Sequence, residues 1–324
     1  MWDMDIIMTD FNFEDEGQGQ IYSVNTILST ARNCEKTVIR LGKGIFNEKV
    51  HSQFKNLQII GAGTEKTIIT NADGAYHNYC TGEKIGTFRS YTVCFQGDKL
   101  YAEGFTIKNT CGDGRVAGQG IALYLDCRFA YLKDIRIMGH QDTLFLAPLP
   151  EHPRIPASFK GPGFRKKRMT SVTYLENCYI EGDVDFIFGG GEAIFDNCTI
   201  HSLNRNDKIN GYVTAPSTCA SKNGFTFYRC QLTGDASEES VYLGRPWRPY
   251  GNAVFLDCQI GKHITREGWT VWNYNKGEEH SARFGTYPVM SENEVDWVIN
   301  ITEESMLEYE KYIRKTKESL LTLF

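Results

Sequence analysis

Two aspartates lie two residues apart in an otherwise apolar segment, residues 182–189 (GDVDFIFG). Because residues two apart in an extended strand share a face, we expect Asp183 and Asp185 to point the same way. Burying an ionised carboxylate among apolar side chains is costly unless the carboxylate is paired or hydrogen-bonded. An acid in such a segment is therefore a candidate for chemistry, provided that a partner lies nearby.

Two further segments offer such partners. Residues 139–145 (GHQDTLF) contain Asp142 beside the amide of Gln141, and residues 243–247 (LGRPW) contain Arg245 and Trp247. A carboxylate can act as a nucleophile, and a second one can act as a general acid if its surroundings keep it protonated. The chain has no Gly-x-Ser-x-Gly segment, so a serine triad of the α/β-hydrolase type is not supported. These side chains suggest one hydrolytic site that a regular scaffold assembles from distant segments.

Composition excludes several classes of protein. The chain has 324 residues, of which 41% are hydrophobic and 23% charged, with a formal net charge of −5. These values are typical of a soluble globular protein, and we expect neither a nucleic-acid nor a membrane partner. Residues 1–17 lack a basic region followed by an apolar one, so we expect no signal peptide. The chain as it stands then fits the cytoplasm, or it is secreted if a leader has been removed.

Ten cysteines are present, and their spacing fits no CxxC metal site. Several occupy a repeated position in apolar strands, where cysteine acts as a small hydrophobic residue. We expect buried free thiols, which suit a reducing compartment, and a few disulfides are the alternative. We expect no metal and no cofactor.

A short recurring element indicates the fold. Each copy has a small or polar turn residue followed by an apolar–x–apolar alternation, and the copies begin at residues 56, 104, 134, 177, 197, 229 and 257. Short alternating strands at rung-like intervals are typical of a stacked coil. Hairpin signals, which a β-sandwich needs, are scarce, and the amphipathic helices of a doubly wound fold are missing. The sequence therefore predicts an all-β protein, a right-handed parallel β-helix built as a single-stranded solenoid.

Helices are expected at both ends of the coil. Val24, Ile27, Leu28 and Ala31 follow helical spacing after Ser23, which predicts a helix that caps the first rung. The tail from 302 to 324 is rich in Glu, Lys and Leu and predicts a second helix. We expect one domain over residues 1–324, with an extension at 1–19, the coil and active site at 20–290, and a helical tail at 291–324.

Residues 146–169 interrupt the rhythm of the coil. The segment contains five prolines and the basic run RKKR at 165–168, so it cannot form a central strand. It is predicted to be a long loop, either a solvated surface excursion or a wall of the substrate groove that attracts an anionic polymer.

Five segments in this order resemble the pectin methylesterases: residues 44–48 (GIFNE), 119–123 (QGIAL), 139–144 (GHQDTL), 185–189 (DFIFG) and 243–247 (LGRPW). The resemblance covers roughly residues 20–290. It implies a carboxylic ester hydrolase on a parallel β-helix that hydrolyses the C6 methyl ester of galacturonic acid units in homogalacturonan and releases methanol. The chain departs from the family pattern at Phe46, where Tyr is usual, and at Gly120 and Ile121, where Ala and Val are usual.

The resemblance also implies roles for individual residues. Asp185 would be the nucleophile, Asp142 the general acid and later the base, and Arg245 would orient Asp185. Gln119 and Gln141 would form the oxyanion hole. The side chains that would line the sugar subsites are Val184, Phe145, Phe188 and Trp247. Methyl-esterified pectin or oligogalacturonides would be the substrate, no cofactor is implied, and we expect a monomer.

Other readings stay open. Asp183 is expected to satisfy turn amides, His140 to be structural because strand alternation places it opposite Gln141, and Glu48 to serve a structural network. A β-helix pectate lyase would need a calcium-binding carboxylate cluster, and a polygalacturonase would need two acids flanking the glycosidic oxygen. A non-catalytic polysaccharide-binding β-helix and an esterase or thioesterase for smaller substrates are further alternatives.

Overall fold

Parallel strands that stack one rung above the next make up this chain. A computed structural model describes residues 7–8, 23–30, 35–165, 167–272, 277–292 and 294–324. Within these ranges the strands, numbered β1 to β22, span Ile7–Met8, Thr37–Leu41, Gly44–Asn47, Val50–Gly61, Thr67–Asn71, Val93–Glu103, Thr106–Asn109, Leu123–Lys133, Arg136–Met138, Leu144–Leu146, Val172–Glu176, Tyr179–Gly182, Val184–Gly189, Glu192–Asp196, Thr199–Ser202, Gly211–Pro216, Phe225–Tyr228, Gln231–Gly234, Val241–Gly244, Asn252–Leu256, Gln259–Ile260 and Arg283–Tyr287. The same described ranges contain three α-helices, α1 to α3, at Val24–Thr30, Gly114–Ala117 and Glu303–Leu321, and two 3₁₀ turns at Thr87–Arg89 and Glu279–Ser281.

The described strands form two sheets, one of 14 strands and one of 8. The larger sheet bends, because β8 pairs with β10 through its first residues and with β11 through its last ones. Its strands therefore occupy two faces of the coil, and the 8-stranded sheet forms the third. We call the face made by the first halves of β6 and β8 together with β10, β13, β16 and β19 the site face. The predicted parallel β-helix is confirmed.

The recurring element that predicted the rungs has a simple conformational basis. Its first residue is Asp134, Asn177, Asn197, Arg229 or Asp257 in five of the copies, and each has a φ between 50° and 53°. This left-handed conformation is uncommon for residues other than glycine, and Asn and Asp tolerate it best. Each of these five copies turns the chain there and then starts a strand of the smaller sheet, whereas the copy that begins at residue 56 lies inside β4 of the larger sheet.

Equivalent positions on successive rungs stack inside the coil. The rings of Phe195 and Phe227 lie 4.3 Å apart at 8°, and those of Phe227 and Phe255 lie 4.2 Å apart at 2°. Cys178, Cys198 and Cys230 are buried at the second position of the recurring element. Parallel pairing in register places identical positions above one another, which explains why one residue type recurs along each stack.

Not every cysteine follows the prediction of buried thiols. Among the described cysteines, Cys80 and Cys219 are exposed, and Cys111 and Cys258 are partly buried. The two exposed ones lie in connecting segments rather than in the stacked strands. Their oxidation state in the cell stays a prediction.

The helix predicted after Ser23 is confirmed as α1. Its apolar residues Val24, Ile27 and Leu28 are buried in the main core, and Ala31 lies outside the described residues. The Glu48 carboxylate accepts hydrogen bonds from the Ser23 hydroxyl at 2.6 Å and from the Val24 N–H at 2.6 Å. Glu48 thus satisfies free amides at the start of α1, which agrees with the structural network expected for it.

The predicted C-terminal helix is α3. Thr302 caps it by accepting a hydrogen bond from the Ser305 N–H at 3.2 Å. Met306, Ile313 and Leu320 are buried in a second apolar cluster on the outer side of the coil. Among the described residues, no helix combines the length and the apolar character that crossing a lipid bilayer requires.

The segment at 146–169 joins β10 to β11 as a series of turns and bends. It is not a purely solvated excursion, because Leu149 and Phe159 are buried in an apolar cluster with Phe88 and Tyr124. The segment is thereby fastened onto the site face.

Candidate active site

The five polar residues predicted for the site converge on one cavity of about 290 Å³ in the site face. The cavity is lined by Asp142, Asp185, Gln119, Gln141 and Arg245. They come from β13, from the end of β19 and from the segments before β8 and β10. The Asp142 N–H donates to the Val184 carbonyl at 3.0 Å, and the Gly120 N–H donates to the Gln141 carbonyl at 3.0 Å. Adjacent rungs therefore bring together residues that are distant in sequence.

Both aspartates have a left-handed backbone. The φ angles are 64° at Asp142 and 49° at Asp185. The pairing of β13 with β16 also shifts register between Val184 and Ile187, which is a β-bulge at Asp185. Bulges bend a strand and re-aim a side chain, and such strained residues are concentrated at functional sites.

This bulge overturns the premise of the prediction that Asp183 and Asp185 share a face. That prediction assumed an extended strand, and Asp185 is not extended. Asp185 lines the cavity, whereas Asp183 is 1% exposed and accepts a hydrogen bond from the Val184 N–H at 2.7 Å. Asp183 also contacts His140, with 3.1 Å between His140 Nδ1 and Asp183 Oδ2. Asp183 does satisfy a main-chain amide, as expected. His140, which was expected only to point away from Gln141, also has a side-chain partner in Asp183.

Asp185 and Arg245 form a bidentate ion pair. Arg245 Nε lies 2.9 Å from Asp185 Oδ1, and Arg245 Nη2 lies 2.7 Å from Asp185 Oδ2. The guanidinium carbon lies 3.6 Å from the ring centroid of Tyr212 and 3.5 Å from that of Trp272. Two parallel hydrogen bonds and two aromatic contacts hold the carboxylate in one orientation.

Asp142 has a different environment. Burial raises the pKa of its carboxyl group well above the usual range, the nearby charge of Asp185 raises it further, and Arg245 opposes the shift. The site therefore favours a protonated Asp142 next to an arginine-paired Asp185. Two carboxyl groups with such different environments can serve as acid and nucleophile in one reaction.

The two glutamines supply neutral amide donors. Gln141 is seated against α2, because a side chain added at Gly114 would come within 2.9 Å of the Gln141 Cβ and closer still to its amide oxygen. Gln119 follows α2 in the chain and lines the same cavity. Neutral donors at this position suit an oxyanion without competing for the proton.

The four predicted sugar-lining residues divide into two pairs. Phe188 and Trp247 line the cavity, with ring centroids 5.8 Å apart. Phe145 is 0% exposed, because it lies on the rung next to Phe188 and is covered by Phe88 and Tyr124. Val184 is 7% exposed and does not line the cavity. Phe145 thus supports the ring of Phe188 from beneath.

Several lining residues were not predicted. Trp272 and the 3₁₀ turn residues Thr87 and Phe88 line the cavity although they are distant in sequence from the acidic segments. The paired tryptophans of GWTVW, residues 268–272, were a signal for Trp272, whereas nothing in the sequence marks residues 87 and 88.

The segment at 146–169 forms one wall of the cavity. Its lining residues are Arg154, Ile155, Ser158 and Phe159. Arg154 pairs with Glu278 and donates to the Trp247 carbonyl at 3.4 Å, and Arg248 donates to the His152 carbonyl at 3.4 Å. These bonds join the wall to the strand end that carries Arg245 and Trp247. The segment was predicted to be either a solvated surface loop or a wall of the substrate groove, and its position favours the wall.

The described residues contain no group of three or more His, Cys, Asp or Glu side chains that could hold a metal ion.

Comparison with known sequences identifies the family. The family model for pectinesterases matches residues 11–149 and 168–287, and it leaves most of the cavity wall segment outside. Pectinesterase 31 of Arabidopsis thaliana is 32% identical over 282 residues, which cover 84% of this chain and 80% of that protein. Putative pectinesterase 14 of the same plant is 32% identical over 296 residues, which cover 85% and 79%.

Solved structures share the fold. Pectin methylesterase PemA from Erwinia chrysanthemi aligns with a TM-score of 0.71 at 23% identity, covering 91% of this chain and 93% of that one. Pectin methylesterase from carrot aligns with a TM-score of 0.69 at 24% identity, covering 91% and 92%. A pectin methylesterase in complex with a hexasaccharide aligns with a TM-score of 0.71 at 24% identity, covering 91% and 93%. Because the family model matches more than half of the chain, the chain belongs to the pectinesterase family, whose members are carboxylic ester hydrolases.

Proposed function

We propose that this protein is a pectin methylesterase that hydrolyses the C6 methyl ester of galacturonic acid units in homogalacturonan and releases methanol. The observation that carries this proposal is the single cavity in which an arginine-paired Asp185, a buried Asp142 with a raised pKa, and the amides of Gln119 and Gln141 meet. A serine-dependent esterase would need a nucleophilic serine, and Ser158, the serine among the described lining residues, does not lie in a Gly-x-Ser-x-Gly elbow.

In the first half of the reaction, an oxygen of Asp185 attacks the ester carbonyl carbon. The carbonyl oxygen becomes an oxyanion that accepts hydrogen bonds from Gln119 and Gln141. The bond to the methoxy group then breaks, Asp142 transfers its proton to the departing oxygen, and methanol leaves. An anhydride between Asp185 and the galacturonate remains.

In the second half, Asp142 is a carboxylate and takes a proton from an incoming water molecule. The water oxygen attacks the galacturonate carbonyl of the anhydride, and the Asp185 carboxylate departs. The products are a free galacturonic acid unit and the enzyme in its starting state. Arg245 keeps the Asp185 carboxylate in the attacking orientation and stabilises it again as a leaving group.

The walls of the cavity suit a sugar-acid chain. The rings of Phe188 and Trp247 offer apolar surface for the faces of sugar rings, and the cations Arg154 and Arg248 lie beside them. A chain of partly de-esterified galacturonic acid carries both kinds of surface. Methyl-esterified pectin and its oligogalacturonides are therefore the proposed substrates.

The test is methanol release from pectin by the Asp185→Asn variant. Without an ionised nucleophile we expect kcat to fall by about 10⁴-fold or more, with the fold unchanged. Asp257→Asn is a matched control, because Asp257 has a φ of 50° like the 49° of Asp185 but lies in a turn outside the cavity. It should retain wild-type activity.

Product analysis separates the rival reactions. Absorbance of unsaturated sugars would reveal a lyase, and new reducing ends would reveal a glycosidase. EDTA should leave the rate unchanged, since a calcium requirement belongs to the lyase. Substantial methanol release by Asp185→Asn, or product of either rival type at the wild-type rate, would contradict the proposal.

A further inference from the structure

We propose that His140 and Asp183 are a positioning pair for the ester-hydrolysing site: their contact ties together the two segments that carry Asp142 and Asp185, and the tie is strongest while His140 is protonated. This inference rests on the proposed function in naming Asp142 and Asp185 as the reacting acids. It adds two residues to which the reaction just described assigns no part.

The position of the pair suggests this role. His140 lies two residues before Asp142, and Asp183 lies two residues before Asp185, on adjacent rungs. The His140 Nδ1 and Asp183 Oδ2 atoms are 3.1 Å apart. In the main chain, the Asp183 N–H donates to the His140 carbonyl at 3.1 Å, and the Asp142 N–H donates to the Val184 carbonyl at 3.0 Å. The side-chain pair therefore reinforces main-chain bonds between the same two segments.

The two partners differ in burial. The side chain of Asp183 is 1% exposed, and that of His140 is 36% exposed. One oxygen of Asp183 accepts from the Val184 N–H, and the other faces His140. A buried carboxylate is costly unless both of its oxygens are hydrogen-bonded or lie beside a positive charge. When His140 loses its proton, the negative charge of Asp183 is therefore only partly balanced. The local backbone, which is already left-handed at Asp142 and Asp185, would have to absorb that change.

The charges around His140 favour its protonated form. Asp183 raises the pKa of His140 most, burial opposes the shift, and Asp113 and Glu181 raise it further. Asp113 is itself paired with Arg115, which also pairs with Asp207. Because the pKa of folded His140 is above its usual value, the ion pair is complete at a pH below about 6.5 and is lost as the pH rises through the raised pKa.

The main test is the pH dependence of kcat for His140→Asn. At pH 6 we expect kcat to fall about 10- to 100-fold with KM little changed, because a small displacement of reacting groups is costly. The ratio of wild-type to variant kcat should become smaller at alkaline pH, where neutral His140 keeps only an uncharged hydrogen bond to Asp183. His140→Arg, which keeps a cation at all pH values, should recover part of the loss and should show no such convergence.

His201→Asn is the matched control. His201 pairs with Asp235 at 3.2 Å, lies on β15 of the 8-stranded sheet and does not line the cavity, so removing it should change neither kcat nor its pH profile. A kcat deficit of His140→Asn that is the same at every pH would reduce the pair to a packing role and overturn the proposal. Wild-type kcat in His140→Asn would overturn it as well.

An NMR readout does not depend on activity. The imidazole of His140 should titrate above pH 6.5 in the wild type and return toward its usual pKa in Asp183→Asn. The side-chain carboxyl shifts of Asp142 and Asp185 should move in His140→Asn at pH 6, and unmoved shifts would overturn the positioning role. Absence of methanol release by the wild type would instead contradict the proposed function, while these shifts still decide the inference about the pair.

Discussion

Asp142 and Asp185 carry the same functional group on adjacent rungs, and their surroundings differ. Asp185 shares two hydrogen bonds with Arg245, whereas Asp142 is buried and the charge of Asp185 faces it. The first environment suits an ionised group, and the second suits a neutral one. The proposed division into nucleophile and acid follows from these neighbours and not from the residue type.

Replacing Asp142 tests this division through pH. Asp142→Asn should lower kcat by about 10²- to 10⁴-fold, the usual contribution of a general acid. It should also stabilise the protein at alkaline pH: the folded state holds the Asp142 proton more tightly than the unfolded state, so the wild type loses stability as the pH rises through the raised pKa, and the variant does not.

Thermal unfolding of both proteins between pH 4 and pH 9 measures this effect. We expect the difference in Tm between variant and wild type to grow with pH and to vanish near pH 4. A difference that is the same at every pH would show that Asp142 does not have a raised pKa.

Most of the cavity wall formed by residues 146–169 lies outside the part of the chain that the family model matches. Residues 150–167 fall outside the family model, yet Arg154 and Phe159 line the cavity. The wall is tied to the rest of the site through Glu278 and the Trp247 carbonyl. We infer that this segment adjusts substrate preference while the reacting groups belong to the rungs.

Arg154→Ala should weaken substrate binding without removing the chemistry. We expect KM for pectin to rise roughly 5-fold, equivalent to about 1 kcal/mol, with kcat nearly unchanged, because Arg154 is only partly buried. Arg165→Ala is the matched control, since Arg165 is an exposed cation of the same segment that does not line the cavity. If both substitutions raise KM equally, the effect comes from the loss of positive charge in general and not from the position of Arg154 in the cavity wall.

The rungs of the coil depend on the stacks of side chains inside it. Phe227 is fully buried between Phe195 and Phe255, with ring distances of 4.3 and 4.2 Å. Each rung of a solenoid contacts mainly its neighbours, so a defect in one stack weakens two interfaces. This arrangement holds the strands that position Asp142, Asp185 and Arg245 relative to one another.

Phe227→Ala should lower the free energy of unfolding by about 3–5 kcal/mol, the usual cost of truncating a buried aromatic side chain. Urea denaturation measures this change. Phe164→Ala is the control, because Phe164 is 40% exposed, and its effect should stay within about 0.5 kcal/mol. A similar loss in both variants would show that the stack is not a main source of stability.

Local patterns in the sequence determined the repeating part of the molecule. The turn residue, the alternation after it and the helical spacing after Ser23 are short-range features, and they predicted the rungs and both terminal helices. The repeated cysteine position in that element predicted buried thiols, and Cys178, Cys198 and Cys230 are buried. The resemblance in five ordered segments predicted which polar residues meet, and all five line one cavity.

Only the tertiary structure decided how that cavity is shaped. The β-bulge at Asp185 arises from the pairing of β13 with β16, so alternation within one strand could not reveal it. The burial of Asp142, the covering of Phe145, and the contributions of Phe88, Trp272 and Arg154 depend on which segments pack against the site face. Strand pattern is encoded between near neighbours, whereas the lining of a cavity is a property of contacts between residues far apart in the chain.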